Sequence, residues 1–377
     1  MSASELDLLV VGEGLSGIIA AAAAATQGLR VMLVSGGPGT FVLGTTCVDL
    51  DGLNSCHMGL AEHSPEQMEQ AVAFFMELTA SSGCGFKGNR GAQRFVPTVL
   101  GTFQQASLVP NSLWKGDPRF ATRIAVAGIE NLAGFDAAFA SERLAFHSRE
   151  MGLDNSYRSA VIQLPDGKKR AWTTIDIAAR VEREPVFGAA LVSALKKVKG
   201  DAELLIIPGV LGMNSGDSNI REFETDIGCA ICELATVPPN VPGLRLLQRL
   251  ERGLTELGVE LCSGFGVQQL CLEGDRCTGA LVETPGHPRY IRADSVVLAC
   301  GRFSHLLPRT VDRGERVDTN QALQLVDGDG TPLAENLFLC GSIAGRFESR
   351  HGNAIAIVTG YQAAMLASQR GVHYAGR

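Results

Sequence analysis

The stretch Leu6-Asp7-Leu8-Leu9-Val10-Val11-Gly12-Glu13-Gly14-Leu15-Ser16-Gly17, with an alanine-rich run to Gln27 behind it, decides the fold class. An apolar, β-forming run meets glycine abruptly and gives way to helical composition, so the order is strand, tight turn, helix. Gly12 permits the tight turn, Gly14 leaves bare backbone for a pyrophosphate to approach, and Gly17 lets the helix pack closely on its strand. Leu15 and Ser16 complete the loop at the helix N-terminus, and six alanines, Ala20–Ala25, keep that helix thin. Gly28 closes the helix and Leu29–Val34 reads as the second strand. Strand, helix, terminal glycine and second strand in register predict an α/β, Rossmann-like FAD/NAD(P)-binding fold.

An acid is expected about 20 residues beyond the glycines, where it would hold a ribose. The position falls on Ser35, in Val34-Ser35-Gly36-Gly37-Pro38-Gly39. A serine offers the ribose one hydrogen bond and does not chelate two hydroxyls as a carboxylate does. Ser35 and Gly36 are the candidate contacts there, and the missing acid leaves FMN open beside FAD.

The chain returns to this site far downstream. Ala293–Gly301 is a strand ending in the small-residue turn Ala299-Cys300-Gly301, and Asn336–Ser342 is another, ending in Gly341-Ser342. Gly352-Asn353-Ala354 then opens a small-residue helix expected to run to about Gln369. Between helix and return, Gly258–Gly264 followed by Val267–Leu272, Gly279–Glu283 and Tyr290–Arg292 reads as a strand and a meander, with Val267 at its entry. No second GxGxxG opens a helix, so a separate nicotinamide domain is not expected, and electrons are expected from a substrate or protein partner.

Composition narrows the class. The 377 residues are 45% apolar and 19% charged with 44 glycines, which describes a turn-rich globular chain and excludes disorder and collagen. Net charge is −7 and the longest basic run is Lys168–Arg170, so no footprint for nucleic acid is present. A mean hydropathy of +0.12 hints at surface covered by partners. Leu15–Thr26, the longest uncharged apolar stretch, is shorter than the ~18–20 residues that span a bilayer. The acids Glu5 and Asp7 stand where a secretory leader carries Lys or Arg, so a cytoplasmic chain is expected. Ten cysteines without framework spacing fit reduced thiols.

These four pieces resemble the two-dinucleotide-binding-domain flavoproteins, relatives of succinate dehydrogenase and glycerol-3-phosphate dehydrogenase. In that family the last helix points its N-terminus at the flavin N1 and C2 carbonyl, a position matched here by Gly352 and Asn353. Where the family has Gly-Asp after the preceding strand, this chain has Gly341-Ser342. A closer resemblance lies in Val96–Thr102, Val126–Leu132, Ile206–Gly209 and above all Thr236-Val237-Pro238-Pro239-Asn240-Val241-Pro242-Gly243-Leu244-Arg245-Leu246. Their order and spacing are similar to the B-subunit family of the anaerobic glycerol-3-phosphate dehydrogenases, over nearly the whole chain. Read locally, the prolines stop a strand, and Leu244, Leu247, Leu250 and Leu254 line one face of the helix that follows.

The resemblance implies a flavin-binding, electron-transferring subunit, the alternative being a flavin-dependent dehydrogenase or electron-relay subunit of a homologous complex that uses another small-molecule donor. Its partners would be a catalytic flavoprotein subunit, oxidising glycerol 3-phosphate to dihydroxyacetone phosphate, and an iron-sulfur subunit delivering electrons to membrane quinone. Membrane contact at the inner face would run through those partners only. The family is described with FMN, which has no AMP ribose to hold, while the complete pyrophosphate motif favours FAD. The expected architecture is a discontinuous flavin domain, residues 1–90 and 240–377, enclosing a middle domain of residues 90–240.

Other residues have plain structural readings beside their chemical ones. Cys229 and Cys232 form the sole CxxC, too few ligands for a cluster or zinc, and read as two partly buried thiols on a strand or as a redox pair. Arg350 and His351, just before the flavin-facing helix, are the candidate catalytic groups, the alternative being solvent-facing turn residues. Arg302, Arg309, Arg313 and Arg316 could grip a phosphate or a partner's acids, or form a solvated loop. His57 and His63, near Cys56, read as structural or surface residues, and no metal is expected. No nucleophile elbow, paired-carboxylate motif or Walker loop is present, which disfavours hydrolase and kinase chemistry.

Overall fold

The computed structural model describes residues 6–51, 53, 64–166, 171–235, 240–301, 306, 319–344 and 349–374. In chain order the elements are β1 (Leu6–Glu13), α1 (Leu15–Thr26), β2 (Val31–Pro38), α2 (Pro65–Ser81), β3 (Phe86–Gly88), β4 (Arg94–Pro97), β5 (Phe103–Ala106) and β6 (Leu108–Pro110). There follow β7 (Arg123–Ile129), α3 (Ala137–Glu150), β8 (Ser156–Ile162), α4 (Thr174–Arg183), α5 (Pro185–Lys199), β9 (Leu204–Pro208), α6 (Asp217–Ile227) and β10 (Ala230–Leu234). The chain continues through α7 (Val241–Glu256), β11 (Glu260–Ser263), β12 (Val267–Glu273), β13 (Arg276–Val282), β14 (Arg289–Leu298), β15 (Leu337–Leu339) and α8 (Gly352–Tyr374). It divides into two compact units, one comprising Met1–Thr40, Asp51–Leu78 and Leu250–Arg377, the other Phe41–Leu50 and Thr79–Arg249.

The first unit is the Rossmann-like one. Its parallel sheet runs β11-β2-β1-β14, with β15 on the far side of β14. Leu8, Leu9 and Val10 are wholly buried, as a parallel strand covered on both faces requires. Strand β14 serves two partners in succession. Residues 289–292 pair antiparallel with β13 in the β12-β13-β14 meander, and residues 293–298 pair parallel with β1. Ala20–Ala24 are wholly buried, so α1 is apolar all round because it is enclosed.

Some boundaries differ from expectation. Strand β2 continues past Val34 to Pro38 because, after an irregularity at the end of β1, Pro38 pairs with Glu13 and the Gly39 amide donates to the Glu13 carbonyl at 3.2 Å. Helix α8 runs on past Gln369 to Tyr374.

The second unit is a second α/β layer structure. All four strands of its main sheet are parallel, in the order β10-β9-β7-β8. Alternate residues of β7 enter opposite cores. Ala125, Ala127 and Ile129 face Trp172, Phe187 and Leu191, whereas Ile124 and Val126 face Ala140 and Leu144 of α3. Strands β3/β6 and β4/β5 form two small antiparallel pairs.

Candidate flavin site

In the first unit, the end of β1 is held so tightly that only glycine fits. Gly12 lies at φ +113°, and a Cβ there would stand 2.5 Å from the Ala299 carbonyl oxygen. A Cβ on Gly17 would run into the Gly12 carbonyl. The Ala299 amide donates to the Val11 carbonyl at 2.8 Å, carrying β14 onto the same corner. From β15, the Cys340 amide donates to Leu298 at 2.9 Å, and Gly341, at φ +71°, donates to Thr359 Oγ1 of α8 at 2.8 Å. Cβ atoms on Gly341 and Gly360 would strike the side chain and backbone of Ser16. Gly12, Ser16, Gly17, Ala299 and Gly341 are thus brought to one place, as the sequence reading required.

Gly14 differs from its neighbours. Its φ is −75°, and a Cβ there would meet nothing nearer than the Ala299 oxygen at 3.8 Å. Its bareness is therefore not demanded by packing. It leaves the N-terminus of α1 accessible, and that terminus has no side-chain cap and no acid in its first turn, although Leu15, Ser16 and Gly17 are buried. Buried helix amides need an acceptor, and the aligned peptide dipoles favour an anion. The residues present fit the phosphate end of a flavin nucleotide.

The remaining predicted contacts lie in the same unit. Gly301 takes φ +79°, with Ser342 Oγ 3.8 Å from where its Cβ would be, and Cys300 is half-buried. The Ser35 hydroxyl accepts from the Gly37 amide at 3.0 Å and donates to the Gly37 carbonyl at 2.5 Å, so it is engaged by its own turn. The Phe265 amide donates to the Ser35 carbonyl at 3.0 Å, Gly36 lies against Gly266, and Val267 opens β12. In the first turn of α8, Gly352 and Asn353 are half-buried and Ala354 is wholly buried, with no acid present. His351 is 1% exposed, which removes the solvent-facing alternative for that residue, and Arg350 Nε donates to its Nε2 at 3.0 Å. Arg350 itself is exposed.

Some features had no sequence signal. The Glu13 side chain, inside the glycine loop, is buried, and Ser263 Oγ of β11 donates to its Oε1 at 3.0 Å. Burial, with a hydrogen bond to Glu13, pushes the Glu251 carboxyl up to about 7. In the second unit, Arg245 is 3% exposed and bonded to Glu233 at 2.6 and 3.1 Å. Cys232 faces the α3 core and Cys229 the opposite one, so the two thiols of the CxxC point to different sides of the sheet. Burial raises both thiols above the ordinary range.

Arg302, Arg309, Arg313, Arg316, His57, His63, Cys56, Lys168–Arg170 and Thr236–Pro239 lie outside the described residues. Among the described residues no group of three or more His, Cys, Asp or Glu is placed to hold a metal, and no helix is long and apolar enough to cross a membrane.

Residues 219–339 match the model of an FAD binding domain. A protein of Halobacterium salinarum, named as the probable B subunit of an anaerobic glycerol-3-phosphate dehydrogenase, is 26% identical, over 97% of this chain and 99% of its own. The B subunit of the anaerobic glycerol-3-phosphate dehydrogenase of Actinobacillus pleuropneumoniae is 24% identical, over 79% of this chain and 74% of its own. Among solved structures, a 3-ketosteroid-Δ4-(5α)-dehydrogenase from Rhodococcus jostii RHA1 superposes with TM-score 0.41 at 12% identity, covering 97% of both chains. The resemblance to the B-subunit family read from the sequence is borne out, and so is the Rossmann-like α/β class. These likenesses support a flavin-linked dehydrogenase subunit, with FAD the favoured flavin.

Proposed function

We propose that this chain is the electron-transferring flavin subunit of a membrane-associated anaerobic glycerol-3-phosphate dehydrogenase. A catalytic flavoprotein subunit would oxidise glycerol 3-phosphate to dihydroxyacetone phosphate, and an iron-sulfur subunit would pass the electrons to quinone. The observation that carries the reading is the uncapped, acid-free start of α1 behind Gly12 and Gly14, in a chain related to a B-subunit protein over 97% of its length.

A bound flavin supplies a two-electron acceptor that can release electrons one at a time. The chain's own part is to bind and orient. Amides of Gly14, Leu15, Ser16 and Gly17 would meet phosphate, with Gly12, Ala299, Cys300, Gly301, Gly341 and Ser342 as the walls. Ser35, Gly36 and Val267 would flank the adenosine side if FAD is bound. The start of α8, Gly352, Asn353 and Ala354, would set its partial positive charge against the carbonyl edge of the ring. Arg350 and His351 stand beside that helix start and are the side chains proposed nearest the reacting edge. The complex would sit at the inner face of the membrane through its partners.

The test is to purify the chain alone, release its cofactor by denaturation, identify it by mass, and then measure dye reduction driven by glycerol 3-phosphate with and without the partner subunits. The expected result is FAD with little turnover alone and restored turnover on adding partners. Full turnover by the chain alone would overturn the subunit reading, and a colourless preparation would overturn flavin binding.

A further inference from the structure

The two margins of the parallel sheet in the second unit are finished differently. At one margin β10 is covered: Ile231–Leu234 are buried, and the Glu233 amide donates to the Ser112 carbonyl at 2.9 Å. At the other, β8 pairs with β7 alone, in unbroken parallel register from Ser156 opposite Arg123 to Ile162 opposite Ile129. The Ser156 amide donates to the Thr122 carbonyl at 2.7 Å, and the Ile162 carbonyl accepts from the Glu130 amide at 2.9 Å. Alternate residues of a paired strand turn their backbone groups to the same side. Ser156, Arg158, Ala160 and Ile162 therefore serve β7, and the N–H and C=O groups of Tyr157, Ser159 and Val161 point away from the sheet. Among the described residues no other strand or loop backbone pairs with them.

Exposed strand edges are ordinarily blunted by shortness, lysine, proline or a bulge. In the first unit β11 is four residues long, and β12 is broken by irregularities of register. Strand β8 has seven residues, no proline or lysine, and no irregularity. Its Val161 is 61% exposed, on the face that carries α3: a Cβ on Gly128 would lie 2.9 Å from Ala137 Cβ of α3 and 3.7 Å from Val161 Cγ2. The Tyr157 hydroxyl, on the same face, is 2.9 Å from Ser148 Oγ of α3.

We propose that this edge is an interface between two copies of the chain, in which the two β8 strands pair antiparallel about a two-fold axis at Ser159 and join the two parallel sheets into one. The interface goes beyond the flavin-subunit reading and does not depend on it.

A second copy is the occupant because the strand is complementary to itself in this register. Its outward residues fall opposite one another, Ser159 facing Ser159 of the second copy and Tyr157 facing Val161, so each outward N–H and C=O finds a partner. On the α3 face the tyrosine ring meets a β-branched side chain, a favourable cross-strand pair that covers the exposed valine. On the other face stands Arg158, the only charged residue of β8, whose guanidinium donates to the Lys199 carbonyl. It falls opposite Ala160 and meets no like charge. Moving the axis to Arg158 would set two guanidinium groups against each other, which fixes the register. One patch used by both copies closes the contact at a dimer.

The experiment follows the full-length chain by sedimentation velocity over a dilution series, for wild type, Ser159→Pro and Val161→Lys, with urea midpoints taken at a dilution where all are monomeric. Wild type should dimerise reversibly. Ser159→Pro removes an N–H that points outward, so it should leave the fold in place and weaken self-association at least about tenfold. Val161→Lys should act in the same direction without touching the backbone. Ser159→Cys places two thiols across the axis at a Cα separation of about 5.5 Å, within disulfide reach. Oxidation with diamide should then give a linked dimer on a non-reducing gel, and Arg158→Cys should give none beyond the wild-type background. A wild-type chain that stays monomeric at every concentration would overturn the proposal and assign the edge to a strand of another protein. A dimer unaffected by both Ser159→Pro and Val161→Lys, and not linked through Ser159→Cys, would place the interface elsewhere and overturn it as well.

Discussion

The two units both place parallel strands at their centre, and they finish the carboxyl ends of those strands in opposite ways. In the first, β1 ends in Gly12 and Gly14 and the helix behind it starts without a side-chain cap. In the second, the ends of β9 and β10 are filled by the chain itself. Glu233 accepts from the Leu211 amide at 3.0 Å and from both terminal nitrogens of Arg245, whose Nε and Nη2 also donate to the Gly212 carbonyl at 3.0 and 2.7 Å. Crevices at the carboxyl ends of parallel strands are where α/β folds bind ligands. The contrast teaches that topology offers such a place and local side chains decide whether it stays open.

The largest effect that would break this comparison is expected at Arg245. Arg245→Met strands the Glu233 carboxylate, wholly buried, without its countercharge, and should cost about 3–5 kcal/mol, read as a fall in urea midpoint. Replacing both partners with apolar residues of similar volume should recover most of that loss. Were the single variant nearly silent, the filled end would be no more structural than the open one.

Next come the two glycines of the open end, which separate packing from binding. Gly12→Ala meets both a φ of +113° and the Ala299 oxygen, so it should cost about 1–3 kcal/mol in strain and abolish flavin binding. Gly14→Ala has an ordinary φ and no close neighbour, so folding should change by no more than about 0.5 kcal/mol. Its flavin affinity should nevertheless drop at least about tenfold, because the methyl group occupies the approach to the α1 amides. Fluorescence titration beside urea denaturation measures both quantities on the same samples.

These differences also mark what could be read in advance. The open end was legible because glycines at fixed offsets have few alternative explanations, and Ala299, Gly341 and the start of α8 followed from the same need for close backbone approach. Cβ atoms on Gly17, Gly341 and Gly360 would fall on Gly12 and Ser16 atoms, which shows why those three had to be glycine. The filled end was not legible. Arg245 stands in a leucine-patterned helix where an arginine ordinarily faces water, and Glu233 is one acid in an otherwise apolar strand, so their pairing exists only in three dimensions. The continuation of β2 to Pro38 escaped for a similar reason, since Ser-Gly-Gly-Pro has turn composition and becomes strand only because Glu13 offers it a ladder partner. Glu13 itself occupies a position of the motif that the glycine pattern leaves unspecified.

A smaller effect sharpens the choice of flavin. Because the Ser35 hydroxyl both donates to and accepts from Gly37, Ser35→Ala should cost about 1 kcal/mol of stability through the lost turn bonds. The affinities for FAD and FMN should be affected alike. A loss confined to FAD would mean that the hydroxyl leaves Gly37 for a ribose when the dinucleotide binds.

The smallest effect lies at the other end of β1, where Asp7 accepts from the Arg30 amide at 2.7 Å and from its guanidinium at 2.9 and 3.1 Å. The Arg30 hydrogen bonds hold the Asp7 carboxyl below the usual carboxylate range, but the Arg30 side chain is 56% exposed, so screening limits the pair to about 0.5 kcal/mol. A lowered folded value means that this stabilisation is present above about pH 4 and lost as pH falls through it. Glu251, beside Glu13, has the opposite sign, its contribution present in acid and lost as pH rises toward 7. Asp7 and Glu251 therefore titrate in opposite directions. Asp7→Asn should flatten the acid limb of a stability–pH curve and leave the neutral limb untouched, while Glu251→Gln should do the reverse. Urea midpoints at pH 3, 5 and 7 on the two variants would resolve the limbs, and a change in both limbs from either substitution would show that the ends of β1 are coupled through the strand.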